Sequence, residues 1–481
     1  MAIPAAQREV ADFLAAITGQ GVVETHISAV FLGRDEVLKL KKAVDFGFLN
    51  FSSLADRGRL IAHEQALNAP AAPWLYLGPV AVTRGRDGAL ALGGMGEVVD
   101  WVLRMRRLPA DAFLDAHAPL DGPGLDALAD AVVALHQAAP PSAASDPGRM
   151  LEGNRQSGLS AGLPPGAVEA WGRAAAARLQ ALTPWLASRR AFQRRCHGDL
   201  HLGNLCLIEG RPTPFDALEF SEDLASIDTG YDLAFLLVDL DQRWGRAAAN
   251  RVMNRYIARS GDVGLLRGLP LWLSMRAFIR AHVTARSGDD AKALLAASQA
   301  YLNPPPPRLV AIGGLQGSGK STLARALAPG LGAAPGALVL RSDELRKRRA
   351  GIAPETPLPP EAYSAEESAA VFATLHAQAA EALAAGHAVV ADAVFQRVAE
   401  RDALAALFTP FQGFWLEAPL SVLQARIEAR QNDASDADLA VLQATAARDC
   451  GPIDWARLDA TKDAEAQARK MLLDAPPAAS P

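Results

Sequence analysis

The chain has 481 residues, of which half are apolar and 21% charged, and its net charge is −5. This composition excludes a disordered chain, and the length suffices for two or three domains with separate cores. The cysteines, Cys196, Cys206 and Cys450, form no CxxC pair, so we expect neither a disulfide framework nor a zinc site. The start of the chain lacks a basic segment followed by an apolar run, and no apolar stretch has the length of a membrane span. We therefore expect a cytoplasmic protein without a membrane partner.

The first part of the chain is predicted to be strand-rich at its start and helical later. The runs ISAVFL and VLKLKK, separated by the turn sequence GRDE, predict a β-hairpin. Residues 57–69 predict a helix, and ALALGGMGEVVDWVLRMRRL predicts another hairpin. From about residue 122, Ala- and Leu-rich segments predict helices. A small β-rich lobe followed by a larger helical lobe is the outline of a bilobal α+β fold.

Residues 197–204 read HGDLHLGN, and FDALEF follows downstream. Phosphoryl transfer requires a cation at the ATP phosphates, a metal site and an acid that orients the acceptor hydroxyl. Asp199 is the candidate for the acid. Asn204 and Asp216 are candidate ligands of Mg²⁺, which prefers oxygen ligands and whose coordination shell would be completed by the phosphates.

The cation is expected from the first hairpin. Lys39 in VLKLKK is the candidate ATP-binding lysine, and Lys41, on the same face of the strand, is its rival. Glu64, in the predicted helix, is the candidate partner that would hold the lysine in place. A solvated surface lysine and an ordinary helix glutamate are the alternative interpretation.

The segments HGDLHLGN, FDALEF and YDLAFL resemble the aminoglycoside phosphotransferase and choline-kinase-like family, which is similar in fold to protein kinases. The resemblance covers most of the first three hundred residues. It implies an α+β bilobal, protein-kinase-like fold and ATP-dependent phosphorylation of a small-molecule hydroxyl. It leaves the acceptor open.

A run of prolines divides the chain, because residues 303–307 read NPPPP, which cannot continue a helix and favours an extended spacer. We place the first domain at 1–302, the second at 308–475 and a frayed tail at 476–481. Neither domain has the positive excess of a nucleic-acid-binding surface, so we expect small-molecule substrates and no nucleic-acid partner for either. The oligomeric state stays open.

The second domain alternates between strand-like and helical segments. RLVAIGG, ALVLRSDE, HAVVADAVF and QGFWLEAP predict strands with helices between them. This alternation predicts an α/β fold with a mainly parallel sheet.

Residues 314–321, GLQGSGKS, fit the Walker A pattern GxxxxGK[ST] in full, after a predicted strand and at the start of a predicted helix. The backbone N–H groups of such a loop, with the helix dipole, hold the phosphates of ATP or GTP. The lysine would reach the β- and γ-phosphates, and the serine after it would bind Mg²⁺. The predicted nucleotide-binding residues of the loop are Gly314, Gly317, Ser318, Gly319, Lys320, Ser321 and Thr322.

Acidic residues end two of the predicted strands of this domain. Asp343 is the candidate base for an acceptor hydroxyl, and Arg346, one turn later, would grip an anionic group of the acceptor. Asp392 would hold metal-bound water or the acceptor. Because ligands of open α/β sheets bind at the carboxyl ends of the strands, these residues are expected in one crevice.

Arg426 and Arg430 are four residues apart in QARIEARQ and therefore share one face of a predicted helix. Such arginines can close over the phosphates of ATP and neutralise developing charge. A solvated helix, with Glu428 as a nearby partner, is the alternative.

SDELR, VVADAVF and ARIEARQNDASDAD resemble the small P-loop kinases, a group that contains gluconate kinase and the polynucleotide 5′-hydroxyl kinases. With both domains in this order, the chain resembles the bifunctional aminoglycoside phosphotransferase-like/ATP-binding proteins of bacteria. The resemblance implies two ATP-dependent kinases in one chain. Alternatively, the P-loop domain is a nucleotide-hydrolysing module that regulates a single kinase. A third possibility, a first domain that only binds, is disfavoured by the joint presence of Asp199, Asn204 and Asp216.

Overall fold

The computed structural model describes residues 2–25, 27–45, 50–429 and 434–474. They divide into two compact units. The first unit contains Met1–Ser145 and Arg189–Leu233, and the second contains Asp146–Ser188 and Ala234–Pro481.

The helices of the described residues are α1 (Arg8–Thr18), α2 (Leu54–Asn68), α3 (Gly122–Ala138), α4 (Pro147–Ser160), α5 (Pro165–Ser188), α6 (Glu222–Ala225), α7 (Thr229–Arg243), α8 (Arg246–Ser260), α9 (Leu269–Arg286), α10 (Lys292–Tyr301), α11 (Lys320–Leu327), α12 (Ser342–Arg349), α13 (Ala365–Ala384), α14 (Val398–Ala405), α15 (Leu420–Glu428), α16 (Leu439–Ala446) and α17 (Ala464–Asp474). The strands are β1 (Val22–Glu24), β2 (Ser28–Leu32), β3 (Glu36–Lys41), β4 (Tyr76–Arg84), β5 (Leu90–Leu92), β6 (Glu97–Arg106), β7 (Gln193–Arg195), β8 (Leu205–Ile208), β9 (Arg211–Pro214), β10 (Ser226–Asp228), β11 (Leu309–Gly314), β12 (Leu338–Arg341), β13 (Val389–Asp392), β14 (Phe411–Glu417) and β15 (Ala456–Asp459). Among the helices of these described residues, none combines the length and apolarity needed to cross a membrane.

The first unit is built on a six-stranded antiparallel sheet with the order β1-β2-β3-β6-β4-β5. The predicted hairpin of β2 and β3 is confirmed, and the predicted helix is α2. The second predicted hairpin is wrong in its pairing, because β4 lies between β5 and β6. The sequence of β4, YLGPVAVTR, contains a glycine and a proline that weaken the strand signal.

Two short antiparallel ribbons in the first unit flank the segment HGDLHLGN. Strand β7 pairs with β10, and β8 pairs with β9. The segment at 196–204 therefore leaves β7 and enters β8, and FDALEF leaves β9. These connections bring the two motifs together at the ends of paired strands.

The second unit contains a five-stranded parallel sheet with the order β12-β13-β11-β14-β15. Strands β11, β12 and β13 are buried along their whole length, as expected for strands covered by helices on both faces. The predicted α/β fold with a mainly parallel sheet is confirmed. The α+β fold predicted for the first part is confirmed as well, by its antiparallel sheet and the helices that follow.

Helix α8 contacts the edge of the parallel sheet within the second unit. The Asn254 side chain accepts a hydrogen bond from Val339 N at 2.7 Å and donates one to Ala337 O at 3.1 Å. This side chain thus pairs with strand β12 as a neighbouring strand would. The compact units do not coincide with the domains predicted at 1–302 and 308–475, and that division stays a prediction. The predicted tail at 476–481 lies outside the described residues.

Candidate active sites

A buried lysine–glutamate pair forms the centre of the first site. Lys39 lies on β3, and its Nζ is 2.7 Å from Oε1 of Glu64 on α2. The same Nζ is 2.5 Å from Oδ1 of Asp216. Lys41, two residues along β3 and so on the same face, has its Nζ 2.6 Å from Oε2 of Glu64. The structure thus brings the predicted lysine, its predicted partner and a predicted metal ligand together.

The charge of Lys39 is set by these neighbours. Burial by itself would lower the pKa of this amine. The carboxylates of Asp216, Glu64 and Glu219 more than offset burial, and the pKa lies well above its ordinary value. Lys39 is therefore a permanent cation beside a partly exposed carboxylate.

Asp199 and Asn204 are joined by hydrogen bonds within the loop. Asn204 Nδ2 donates to Asp199 O at 2.9 Å and to Asp199 Oδ2 at 3.0 Å. The Asp199 side chain is 42% exposed, and Nε2 of His201 lies 3.5 Å from its Oδ2. A fixed yet accessible carboxylate is the arrangement that an acceptor hydroxyl requires.

The loop is held from behind by Asp232. Its carboxylate accepts hydrogen bonds from His197 N at 3.1 Å and Gly198 N at 2.9 Å. Nε2 of His136 lies 3.2 Å from Asp232 Oδ2. Asp232 is fully buried, so it orients the loop from the interior.

His197 connects the loop to FDALEF. Its Nε2 donates to Phe215 O at 2.9 Å. Burial lowers the pKa of His197, although nearby carboxylates, Asp232 first among them, act in the opposite direction. The imidazole therefore serves as a neutral structural donor in this position.

Asp216 has a left-handed backbone, with φ of 58°. Its N–H donates to the Tyr76 hydroxyl at 2.9 Å, and Ala217 N donates to Asn68 Oδ1 at 2.8 Å. Asn204 is placed next to this segment by the bond from Phe215 N to Asn204 O at 3.1 Å. The adjacent carboxylate and amide are hard oxygen donors that fit Mg²⁺.

Positive φ angles shape the GLQGSGKS loop of the second unit, with Gly314 at 136°, Gly317 at 78° and Gly319 at 93°. A Cβ at Gly317 would lie 2.7 Å from the carbonyl oxygen of Leu423. Glycine is therefore required here by both conformation and space. Lys320, which begins α11, donates from Nζ to Leu315 O at 2.9 Å and so curls over the loop.

The carboxyl ends of three adjacent strands converge beside this loop. Ser321 Oγ donates to Asp392 Oδ2 at 2.6 Å, which joins the two predicted metal-binding residues. Arg341 and Asp392 are paired in register at the ends of β12 and β13, and Arg341 Nε lies 3.3 Å from Asp392 Oδ2. The hydroxyl and carboxylate oxygens of Ser321 and Asp392 fit Mg²⁺.

Asp343 lies in the first turn of α12, next to these groups. Burial raises its pKa, and the Asp392 charge acts in the same direction. Arg341, Lys320 and a hydrogen bond from the Ser435 side chain act against this without cancelling it. A carboxylate with a raised pKa is a stronger base than an exposed one.

Two of the three arginines predicted for this site, Arg346 and Arg426, have backbone partners. Arg346 Nη1 donates to Ala362 O at 2.6 Å, and its guanidinium stacks over Tyr363. Arg426 Nη2 donates to Ala460 O at 2.8 Å, and its Nη1 lies 3.5 Å from Gly317 O in the phosphate loop. Arg426 thus lies beside the phosphate loop, and its role at the phosphates stays a prediction. The predicted second arginine, Arg430, lies outside the described residues.

Several neighbours of the sites were not found from the sequence. Tyr76 and Asn68 hold the Asp216 segment, and Glu219 contacts Lys41. Of these residues, only Glu219 was marked by a sequence motif, as the glutamate of FDALEF. The others are ordinary polar residues of a strand and a helix, far away in sequence.

Comparisons with known proteins identify families that match two regions of the chain. Residues 71–278 match the family model described as "Phosphotransferase enzyme family", and residues 309–449 match the model described as "AAA domain". The uncharacterized protein Rv2004c of Mycobacterium tuberculosis is 28% identical over 464 residues, which are 90% of each chain.

Two solved structures are similar to portions of this chain. An aminoglycoside phosphotransferase of Streptomyces rimosus, in complex with ADP and streptomycin, is 19% identical, with coverage of 56% of this chain and 97% of its own and a TM-score of 0.36. A gluconokinase of Sinorhizobium meliloti is 23% identical, with coverage of 35% and 91% and a TM-score of 0.26. The family matches confirm the predicted combination of an aminoglycoside phosphotransferase-like region and a P-loop kinase region. These kinase-like regions support phosphotransferase activity with ATP.

Proposed function

We propose that this protein carries two separate transfer sites, each of which moves the γ-phosphate of Mg·ATP to a hydroxyl of a small molecule. The observation that carries the proposal is that each unit has its own cation, oxygen ligands for a metal and candidate base. The first set is Lys39, Asn204, Asp216 and Asp199, and the second is Lys320, Ser321, Asp392 and Asp343.

In the first site, Lys39 would bind the phosphates of ATP, since Glu64 and Asp216 hold its amine at a fixed point. Asp216 and Asn204 would hold Mg²⁺, which supplies charge neutralisation at the transferring phosphate. Asp199 would accept the proton of the acceptor hydroxyl, because its carboxylate is exposed and oriented by Asn204.

In the second site, the glycine loop and Lys320 would hold the phosphates, and Ser321 and Asp392 would hold the metal. Asp343 would take the proton of the acceptor hydroxyl. Burial favours this role, because a raised pKa brings the carboxylate closer to the working pH.

Small molecules are the proposed acceptors for both sites. The net charge of −5 gives no general attraction to a polyanion, whose binding normally relies on many Lys and Arg contacts. We therefore favour sugars, sugar acids, amino alcohols or nucleosides over nucleic acids.

One observation favours the second candidate function, in which the P-loop region only regulates the first site. Arg346, the predicted acceptor-binding residue, donates instead to Ala362 O and to Ser368 Oγ at 3.3 Å. A nucleotide switch needs no acceptor grip. Under this alternative, Asp343→Ala would leave function intact, whereas Lys320→Ala would not.

The test is a turnover screen with Mg·ATP against the four acceptor classes. Wild type, Asp199→Ala and Lys320→Ala are measured in parallel, with the exposed residues Asp87→Ala and Lys470→Ala as matched controls. We expect phosphorylation of one acceptor to be lost only in Asp199→Ala and that of another only in Lys320→Ala.

Other outcomes are equally informative. A single substitution that removes both activities would contradict independent sites. Slow ATP hydrolysis without any phosphorylated acceptor, abolished only by Lys320→Ala, would support the regulatory alternative.

A further inference from the structure

A second lysine–glutamate pair lies behind the predicted one in the first site. Lys41 Nζ is 2.6 Å from Glu64 Oε2 and also hydrogen-bonds Glu219 Oε1. The exposed fractions of these side chains are 1% for Lys41, 0% for Glu64 and 5% for Glu219. Neither Lys41 nor Glu219 has a role in the transfer chemistry described above.

Lys41 is not an alternative to Lys39 at the phosphates. Lys39 is 12% exposed and touches Asp216, whereas Lys41 is 1% exposed and directed to the interior carboxylates. The period of two along a strand places both lysines on one face, and Glu64 divides its oxygens between them. The inner lysine thereby fixes the carboxylate that fixes the outer lysine.

The same pair also acts on the predicted metal-binding segment. Asp216 and Glu219 are three residues apart, and each forms an ion pair with one lysine of β3. Lys39 therefore holds the start of the segment 216–219, and Lys41 holds its end. Strand β3, helix α2 and this segment form one closed network of charges.

Such a network is a costly way to gain stability. Desolvation of buried ions offsets much of their attraction, and apolar residues of similar size often serve stability equally well. What the charges add is a defined geometry, because Glu64 is paired with both lysines, and Asp216 and Glu219 are each paired with one of them. The geometry they define is the separation of Lys39 from Asp216.

We propose that Lys41 and Glu219 are positioning residues of the first site, which hold Glu64 and the segment 216–219 so that Lys39 and Asp216 face one Mg·ATP phosphate group. This inference rests on the function proposed for the first site. It assigns no contact with ATP or metal to either residue; both act through their neighbours.

The experiment uses calorimetry to measure the affinity of the protein for the Mg²⁺ complex of a non-hydrolysable ATP analogue. All variants carry Lys320→Ala, so that the second site does not contribute to binding. Lys41→Met and Glu219→Gln are each expected to weaken binding about 10- to 100-fold, the usual effect of residues that orient ligands from behind. The double variant is expected to be no weaker than the worse single variant, since both changes break one network.

The matched control is Arg57→Met, which breaks another buried ion pair of the same unit. Arg57 Nε is 2.8 Å from Asp100 Oδ1, and the pair is as buried as Lys41 and Glu219. A loss of thermal stability without a loss of nucleotide affinity is expected for this control. If Lys41→Met does not fold, Lys41→Arg and Glu219→Asp keep the charges and are expected to shift the affinity while remaining folded.

Three results would count against the inference. Folded Lys41 and Glu219 variants that bind Mg·nucleotide as tightly as the Lys320→Ala parent would overturn it. A higher Mg²⁺ requirement in Glu219→Gln alone would identify Glu219 as a metal ligand and also overturn it. A parent that binds no Mg·nucleotide would instead refute the proposed function of the first site, and the inference with it.

Discussion

Replacement of Asn254 by alanine would open the edge of the parallel sheet in the second unit. The Asn254 side chain is the acceptor for Val339 N at 2.7 Å and a donor to Ala337 O at 3.1 Å. Both partners are buried, with Val339 9% and Ala337 0% exposed. In the variant, the Val339 amide loses its acceptor, whereas Ala337 O retains the Asn250 side chain at 3.1 Å.

The cost can be estimated from this single amide. A buried donor left without an acceptor costs about 1–3 kcal/mol. Alanine is the better helix former, which returns at most about 0.7 kcal/mol within α8. The difference is a net loss of about 0.3–2.3 kcal/mol, which corresponds to roughly 1–9 °C in melting temperature at about 2–4 °C per kcal/mol for a larger domain.

The assay combines thermal melting with hydrogen exchange of the segment 337–341. The amide of Val339 is expected to exchange faster in Asn254→Ala, together with its neighbours in β12. Asn303→Ala is the control, because this exposed side chain donates only to a carbonyl of its own helix region, Gln299 O at 3.0 Å. If Asn254→Ala melts and exchanges as wild type does, the edge contact does not stabilise the sheet.

Three further predictions concern the second unit. Asp343→Asn should abolish transfer at the second site yet melt at or above the wild-type temperature at neutral pH. The reason is that the folded state raises the pKa of Asp343 above 3.8, so the ionised carboxylate destabilises the fold increasingly as the pH rises through that raised pKa. A melting temperature of the variant below that of the wild type would contradict this reasoning. Gly317→Ala should abolish nucleotide binding at the second site, because its Cβ would lie 2.7 Å from a backbone oxygen. Binding is measured in a Lys39→Ala background, so that the first site does not contribute. The control Gly162→Ala, with φ of 82° and open space around it, should lose only about 1–2 kcal/mol of stability; equal nucleotide binding by both would refute the steric argument. Burial lowers the pKa of His387 to about 4, so the stability from its neutral form is complete above the ordinary value of 6.5 and lost as the pH falls from 6.5 towards 4. Between pH 8 and pH 5, the free energy of unfolding of His387→Gln, measured by denaturant titration, should therefore fall by about 2 kcal/mol less than that of the wild type. Parallel curves of unfolding free energy against pH would show that this histidine does not set the pH dependence.

Local sequence patterns determined the parts of this protein whose geometry depends on nearby residues. The spacing in HGDLHLGN identified Asp199 and Asn204, which the loop joins by hydrogen bonds over five residues. The glycines of GLQGSGKS allow the backbone shape of the phosphate loop. The alternation of residues in VLKLKK places Lys39 and Lys41 on one face of a strand. In each case the chain conformation over a few residues settles the outcome.

Tertiary structure decided between alternatives that the local sequence patterns leave equally possible. The choice between Lys39 and Lys41 depends on Asp216 and Glu219, which are 177 and 178 residues away in the chain. The position of β4 between β5 and β6, and the contact of Asn254 with a strand 85 residues later, likewise have no local signature. Periodicity states which face of an element is buried, but the partner of that face is selected by packing of the whole unit, where burial and charge pairing are satisfied together.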